Sequence, residues 1–182
     1  GAHVRISKAM GYVADAFSEK TLEKLPGRIA IGHVRYSTSG DSSVDNAQPI
    51  LIDCAHGQIA IGHNGNIINA SELKDELVRH GSIFQTTSDT EVILRMYHQY
   101  GEACVAQLNG MFAFLLHDRS QGIVLSARDH FGIKPLYFSH DERQMLFWSE
   151  LKAILAHGGV NAGVNPPSRN ADPTFPSALG AA

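Results

Sequence analysis

Between residues 50 and 81 the chain reads ILIDCAHGQIAIGHNGNIINASELKDELVRHG, and its apolar period changes part-way through. As far as Ile67 the apolar and β-branched residues come in strand-length runs, with turn chemistry at His56-Gly57 and again at Asn64-Gly65. Beyond it, Asn69 and Glu72 stand three apart, like the reciprocal caps of a helix start, and Gly81 offers the backbone freedom that ends a helix. Two strands feeding directly into a helix point to a mixed α and β chain.

The flanking sequence extends this pattern. SEKTLEKLPG predicts a short helix capped by Ser18 and stopped by Pro-Gly, and RIAIGHVRYST predicts a strand over 29–36 followed by a polar loop. TSDTEVILRMYHQYG predicts a second capped helix, with Ser88 and Glu91 as the box and Gly101 as the stop. From Met111, the runs MFAFLLHD, GIVLSARD and PLYFSHDERQMLFWS predict a meander of antiparallel strands whose last connection is a polar turn at Asp141 to Gln144. SELKAILAHGG then predicts a final helix capped by Ser149. This order suggests an α+β fold with two sheets between helix layers. After Gly158 the composition shifts to Pro, Asn, Ala and Gly, so residues 1–158 read as the domain and 159–182 as a tail or linker.

Composition narrows the function. With 182 residues, 43% of them hydrophobic, the chain can bury a real core, and a net charge of −3 with scattered lysines and arginines offers no footprint for nucleic acid or an anionic membrane. No apolar run is long enough to span a bilayer, and GAHVRISKAMG lacks the profile of a signal peptide. Cys54 and Cys104 are too few for a disulfide framework or a zinc site, which fits a reducing, cytoplasmic compartment.

Four polar features fall at predicted strand ends or helix starts: the side chains of Arg35, Asn64 and Asp89 and the backbone N–H of Gly65. Together they would suit a small zwitterion. A guanidinium grips a carboxylate, an acid holds an ammonium, and a carboxamide beside a backbone N–H stabilises an oxyanion. Each also has a plain reading, as a surface arginine, a hairpin turn and a first-turn acid favoured by the helix dipole.

The motifs PGRIAIGHVRYSTSG, NAQP, HNGNIINASELKDEL and TTSDTE, with AMGYVADAF before them, resemble the glutaminase domain of class II glutamine amidotransferases. Residues 4–90 look like the glutamine phosphoribosylpyrophosphate amidotransferase branch, and Asn66 follows its pattern. Residues 85–157, through ARDHFGIKPLYF to WSELKAIL, look more like the glutaminase domain of asparagine synthetases. The resemblance implies the N-terminal-nucleophile hydrolase fold, a four-layer αββα sandwich. It implies that Arg35 binds the α-carboxylate of glutamine and Asp89 its α-amine. Asn64, through its side chain, and Gly65, through its N–H, would form the oxyanion hole, with Tyr36 and Thr38 lining the site. It implies no cofactor and no metal.

In this family the attacking group is the thiol of a cysteine at the mature N-terminus, with its own α-amine as base. The sequence begins at Gly1 without the family's opening CGI segment or the strand, loop and HRG helix region that follow it. The expectation is a domain lacking its usual first strand and helix, inactive as this chain alone. Cys54 and Cys104 carry no free α-amine and read as small packed side chains. His33 and His63 read as supporting or core residues, and Arg128 and Asp129 as a turn that fixes two strands. No acceptor-domain loop is present, neither SGGxDS nor a phosphoribosyl-diphosphate loop, so the partners expected are glutamine and a synthetase or phosphoribosyltransferase domain. A homo-oligomer is left open. Two other readings also stand: a non-catalytic glutamine-binding or interaction module, and a joined chimera.

Overall fold

The computed structural model describes residues 3–35, 44–54 and 57–157, which fall into two compact units meeting in the chain at Ala127 and Arg128. The first unit opens with two short helices, α1 (Val13–Ala16) and α2 (Glu19–Glu23), the latter capped as expected by Ser18, whose side chain accepts from Thr21 N. Its sheet has the order β1 (Ile50–Cys54), β2 (Gly57–Ile67), β3 (Gly110–Asp118) and β4 (Ile123–Arg128). β2 runs antiparallel to both neighbours, with Ile61 opposite Ile50 on β1 and Leu116 on β3. Two helices follow β2 in the chain, α3 (Ala70–Arg79) and α4 (Asp89–Tyr100). The α+β class is as the sequence suggests, and among the described residues no helix is long and apolar enough to cross a membrane.

The core explains the different composition of the two helices. α3 buries only Leu73 and Leu77, one i,i+4 stripe, whereas α4 buries Val92, Ile93, Leu94, Met96 and Tyr97, a face about half its circumference wide. α4 packs on β2, and its apolar residues join Ile59, Ile61, Phe112, Phe114 and Leu116 in one cluster. Local chemistry sets the helix ends. Ser82 N bonds Leu77 O and Gly81 N bonds Val78 O, with Gly81 at φ +89°, the paired bonds of a Schellman stop. Ser88 caps α4 by accepting from Thr90 N. Glu91, fully buried, reaches back past the cap to Gln85 N and Thr86 N and pairs with Arg95 at 3.1 Å.

Several expectations are corrected. Asn64-Gly65 is no turn: the β2–β3 ladder continues through both residues to Ile67 opposite Gly110. Asn-Gly is a strong local hairpin signal, but pairing with a distant strand overrides it. Residues 29–35 form no strand. Ile31, His33 and Arg35 are half-buried and Gly32 and Val34 exposed, so the predicted sidedness is present, but among the described residues Gly27–Val34 make no backbone–backbone hydrogen bond. Alternation records which face is covered; a strand also needs a paired edge. Asn69 precedes α3 without capping it, because its carboxamide is spent on Gln107 O and Asn109 N. The meander is divided, with β3 and β4 in the four-stranded sheet and the later strands in a sheet of their own. The turn residue His56 and the tail 159–182 lie outside the described residues.

The second unit contains the hairpin β5 (Tyr137–His140) and β6 (Met145–Trp148), then α5 (Leu151–His157), which begins two residues after Ser149. Asp141 makes its turn by accepting from Arg143 N and Gln144 N. Arg128 and Asp129 fix a loop, as expected: the guanidinium donates to Gly132 O and Lys134 O, and the carboxylate accepts from Ile133 N and Lys134 N.

At the end of β3, buried Asp118 accepts from Ser120 N, Ser120 Oγ, Gln121 N and Gln121 Nε2, and also from Tyr97 OH at 3.3 Å. Burial by itself would raise the Asp118 carboxyl, but these hydrogen bonds outweigh it and hold the group below its ordinary value. Burial, then Asp118, pushes the Tyr97 phenol up to about 12. A carboxyl depressed on folding contributes stability that is present above its unfolded value and lost as pH falls through the folded one. The Asp118→Asn variant is therefore expected to lose stability less steeply than wild type as acid is added below about pH 4, measured by denaturant unfolding across that range.

Candidate functional site

The site is assembled on the second half of β2. β1 begins at Ile50, opposite Ile61, and Pro49 before it has no N–H with which to add a rung to the ladder. Continuing the register by two residues sets Gln48 opposite His63, and there a side chain takes the place of backbone. Gln48 Oε1 accepts from His63 N at 2.6 Å, and Gln48 Nε2 donates to His63 O at 3.0 Å. A carboxamide carries the same donor and acceptor as a peptide group, so the pairing extends one rung toward Asn64.

Asn46, only 3% exposed, does the same to a second segment. Its Oδ1 accepts from Thr87 N at 3.2 Å and its Nδ2 donates to Thr87 Oγ1 at 3.0 Å. Thr87 leads into Ser88 and Asp89, the start of α4. Asp89 is 9% exposed, and its Oδ2 accepts from Ile67 N at 2.9 Å. Its Oδ1 lies 3.9 Å from His63 Nδ1, which is itself 3.2 Å from Thr90 Oγ1. The acid, at the start of α4, is thus tied to the strand that carries the Asn64-Gly65 pair, and the helix N-terminus favours the negative charge.

Strand alternation puts Asn64 on the face it shares with Gly62. That face is lined by the segment leading to Arg35: a Cβ built on Gly62 would lie 2.9 Å from Ile31 Cγ2 and 4.0 Å from His33 Cβ. Burial, and then the charge of Arg35, lower the pKa of His33, so at neutral pH the imidazole adds no second positive charge beside the guanidinium. The Asn64 side chain is half-buried, and its carboxamide makes no hydrogen bond among the described residues. Gly65, at φ +155°, passes too close to its neighbours for any side chain. A Cβ there would run into the Met111 carbonyl oxygen and lie 2.7 Å from His63 Nε2 and 2.8 Å from Phe112 Cα.

Of the residues singled out from the sequence, Asn64 and Gly65 lie on β2, Asp89 is bonded to the same strand through Ile67 N, and Arg35 ends the described segment that lies along the Asn64 face. Tyr36 and Thr38 lie outside the described residues. Burial pushes the Cys104 thiol up to about 11 and raises Cys54 as well, so neither has the depressed pKa of an activated nucleophile. The spacing arguments missed Asn46, Gln48 and Thr90. The signal for the first two was in the sequence, as two carboxamides flanking Ala47 and ending at a proline.

Residues 17–170 match the glutamine amidotransferase domain family. The amidophosphoribosyltransferase of Archaeoglobus fulgidus is 38% identical over 165 residues, taking in 86% of this chain and 36% of that protein. Amidophosphoribosyltransferase 3, chloroplastic, of Arabidopsis thaliana is 42% identical over 157 residues, 80% of this chain and 29% of that protein. The solved structure of the Bacillus subtilis glutamine phosphoribosylpyrophosphate amidotransferase complexed with ADP and GMP matches with a TM-score of 0.71 and 34% identity, over 81% of this chain and 33% of that one. The chain spans about a third of the length of these relatives. Alignments this long carry the likeness to amidophosphoribosyltransferases well past residue 90, into the part expected to be nearer the asparagine synthetases.

The two glycines of this strand should respond differently to substitution. Gly65→Ala drives a methyl group into backbone and is expected to cost about 3 kcal/mol or more, whereas Gly62→Ala meets only a methyl group of Ile31 and is expected to cost about 1 kcal/mol. Urea unfolding of the two variants checks this; equal effects would contradict the close approach at Gly65.

Proposed function

Since the chain belongs to the glutamine amidotransferase domain family and has the N-terminal-nucleophile hydrolase fold, we propose that it binds free L-glutamine and hydrolyses the side-chain amide, passing ammonia to a phosphoribosyltransferase domain of the same protein. The observation that carries this reading is the tie between the buried Asp89 carboxylate and the strand that presents Asn64 and Gly65. An acid poised for an ammonium and donors poised for an oxyanion then belong to one rigid unit, as an α-amino acid with a reactive side-chain carbonyl requires.

The roles follow from charge. Arg35 receives the α-carboxylate and Asp89 the α-ammonium, and the family resemblance assigns Tyr36 and Thr38 to the same ligand. The side-chain carbonyl carbon is attacked by a thiolate, a role that the family resemblance gives to a cysteine at a mature N-terminus. The carbonyl π electrons move to oxygen, where Asn64 Nδ2 and Gly65 N–H donate to the oxyanion. The cysteine's own α-amine takes the thiol proton as the C–S bond forms; on collapse the C–N bond breaks and that proton passes to the departing amide nitrogen, which leaves as ammonia, and water then cleaves the thioester to glutamate and the free thiol. Of the two acceptor domains expected, synthetase or phosphoribosyltransferase, the second has the better support, because the relatives named above are amidophosphoribosyltransferases; the reading is therefore of purine-nucleotide rather than asparagine synthesis. The free thiols of Cys54 and Cys104 suit a reducing compartment such as the cytoplasm.

Calorimetric titration with L-glutamine is expected to show binding. Arg35→Ala and Asp89→Asn should each weaken it about 10-fold or more, the range for a lost hydrogen bond to a charged group. Asparagine at position 89 keeps an oxygen for Ile67 N and removes only the charge, so its loss of affinity reports the ammonium contact. No heat at millimolar L-glutamine would sink the reading. In the full-length protein, Asn64→Ala should lower kcat for ammonia release by about 10²- to 10³-fold while leaving glutamine affinity nearly unchanged.

A further inference from the structure

Resting on that reading of the site, we propose that Asn46 and Gln48 are positioning residues that divide the work between the two ends of the substrate. Gln48 sets the oxyanion donors, and Asn46 sets the acid that holds the ammonium.

The argument begins with what each carboxamide grips. Gln48 holds both the N–H and the C=O of His63. The His63 carbonyl belongs to the peptide plane that also contains Asn64 N, so fixing it orients the Asn64 Cα and the direction in which the side chain leaves the strand. On its other edge this stretch is held by β3, with His63 opposite Phe114 and Asn64 opposite Ala113. Because β1 begins at Ile50, its own backbone rungs stop at Ile61. Gln48 supplies by its side chain the pairing that follows the last β1 rung. Asn46 grips the N–H and the hydroxyl of Thr87, two residues before Asp89.

Both grips come from one short bracket. Asn46 and Gln48 flank Ala47, whose N–H donates to Val44 O at 3.1 Å, and Pro49 joins the bracket to β1. It therefore spans from the strand that carries Asn64 to the segment that starts α4, and sets the spacing between them. Each grip needs a donor and an acceptor on one planar group, which a carboxamide has and a carboxylate lacks. None of these four bonds uses an atom of Arg35, Asn64, Gly65 or Asp89; through them the two side chains act on the segments that carry the site.

The test uses the full-length protein, with glutamine-binding sites counted by calorimetry so that kcat is expressed per competent site. Gln48→Glu and Asn46→Asp keep shape and one acceptor while removing the donor. For Gln48→Glu the expected result is a fall in kcat of about 10-fold or more with the dissociation constant for glutamine within about 3-fold of wild type, since misplacing a reacting group by an ångström can cost about 100-fold. For Asn46→Asp the expected result is the converse, a dissociation constant and KM raised about 10-fold with kcat within about 3-fold. Should either charged variant not fold, Gln48→Met and Asn46→Leu read the same split without added charge. Variants that only reduce the number of competent sites, or that move the same parameter, would overturn the division of labour. Wild-type protein that binds no glutamine would overturn the reading of the site itself, and this assignment with it.

Discussion

The continuous pairing of β2 with β3 is the constraint from which the rest of the first unit follows. Because the ladder runs without interruption from Ile59 to Ile67, the backbone of Asn64 and Gly65 is held extended in a sheet. That placement demands a glycine at 65, where the Met111 carbonyl and Phe112 leave no room for a side chain. It also presents the Asn64 carboxamide from a rigid element. A group held this way loses little freedom on meeting a ligand, which is what oxyanion stabilisation needs.

Around that strand the structure repeatedly uses side chains to complete backbone pairing. Gln48 continues the ladder where a proline prevents it, Asn46 secures the approach to α4, Glu91 holds the two N–H groups ahead of the cap, and Asp89 takes Ile67 N. Several of these groups are buried, and a buried polar group left unpaired costs about 1–3 kcal/mol. Mutual satisfaction therefore decides one arrangement among many that the apolar core alone would tolerate. The core supplies adhesion between α4 and the sheet, and the polar contacts supply register.

How much of this could be read from the residues depends on the range of the interaction. Ser18, Ser88 and Gly81 act within a turn of their own position, and the structure uses each as its local chemistry suggests. Arg128 and Asp129 likewise bond within six residues and form the turn that was expected. Asn64-Gly65 has an equally strong local preference, yet β3 lies more than forty residues onward and overrides it. Residues 29–35 show the same limit from the other side, with the right alternation and no ladder. Asn46 and Gln48 were quoted within a motif, but nothing near them in the chain identifies what they hold.

Composition, period and motif order determined the α+β class, the capped helices, the membership of the glutamine amidotransferase domain family and the residue types suited to a zwitterion. These follow from the sequence because propensities, caps and motifs act over a few neighbouring residues. Only the tertiary structure decided that Asn64-Gly65 is a strand interior, that Asp89 is tied to that same strand through Ile67, and that a two-carboxamide bracket joins the strand to the start of α4. Those outcomes depend on which distant groups are left with an unsatisfied donor or acceptor once the chain is compact, and no local pattern carries that information.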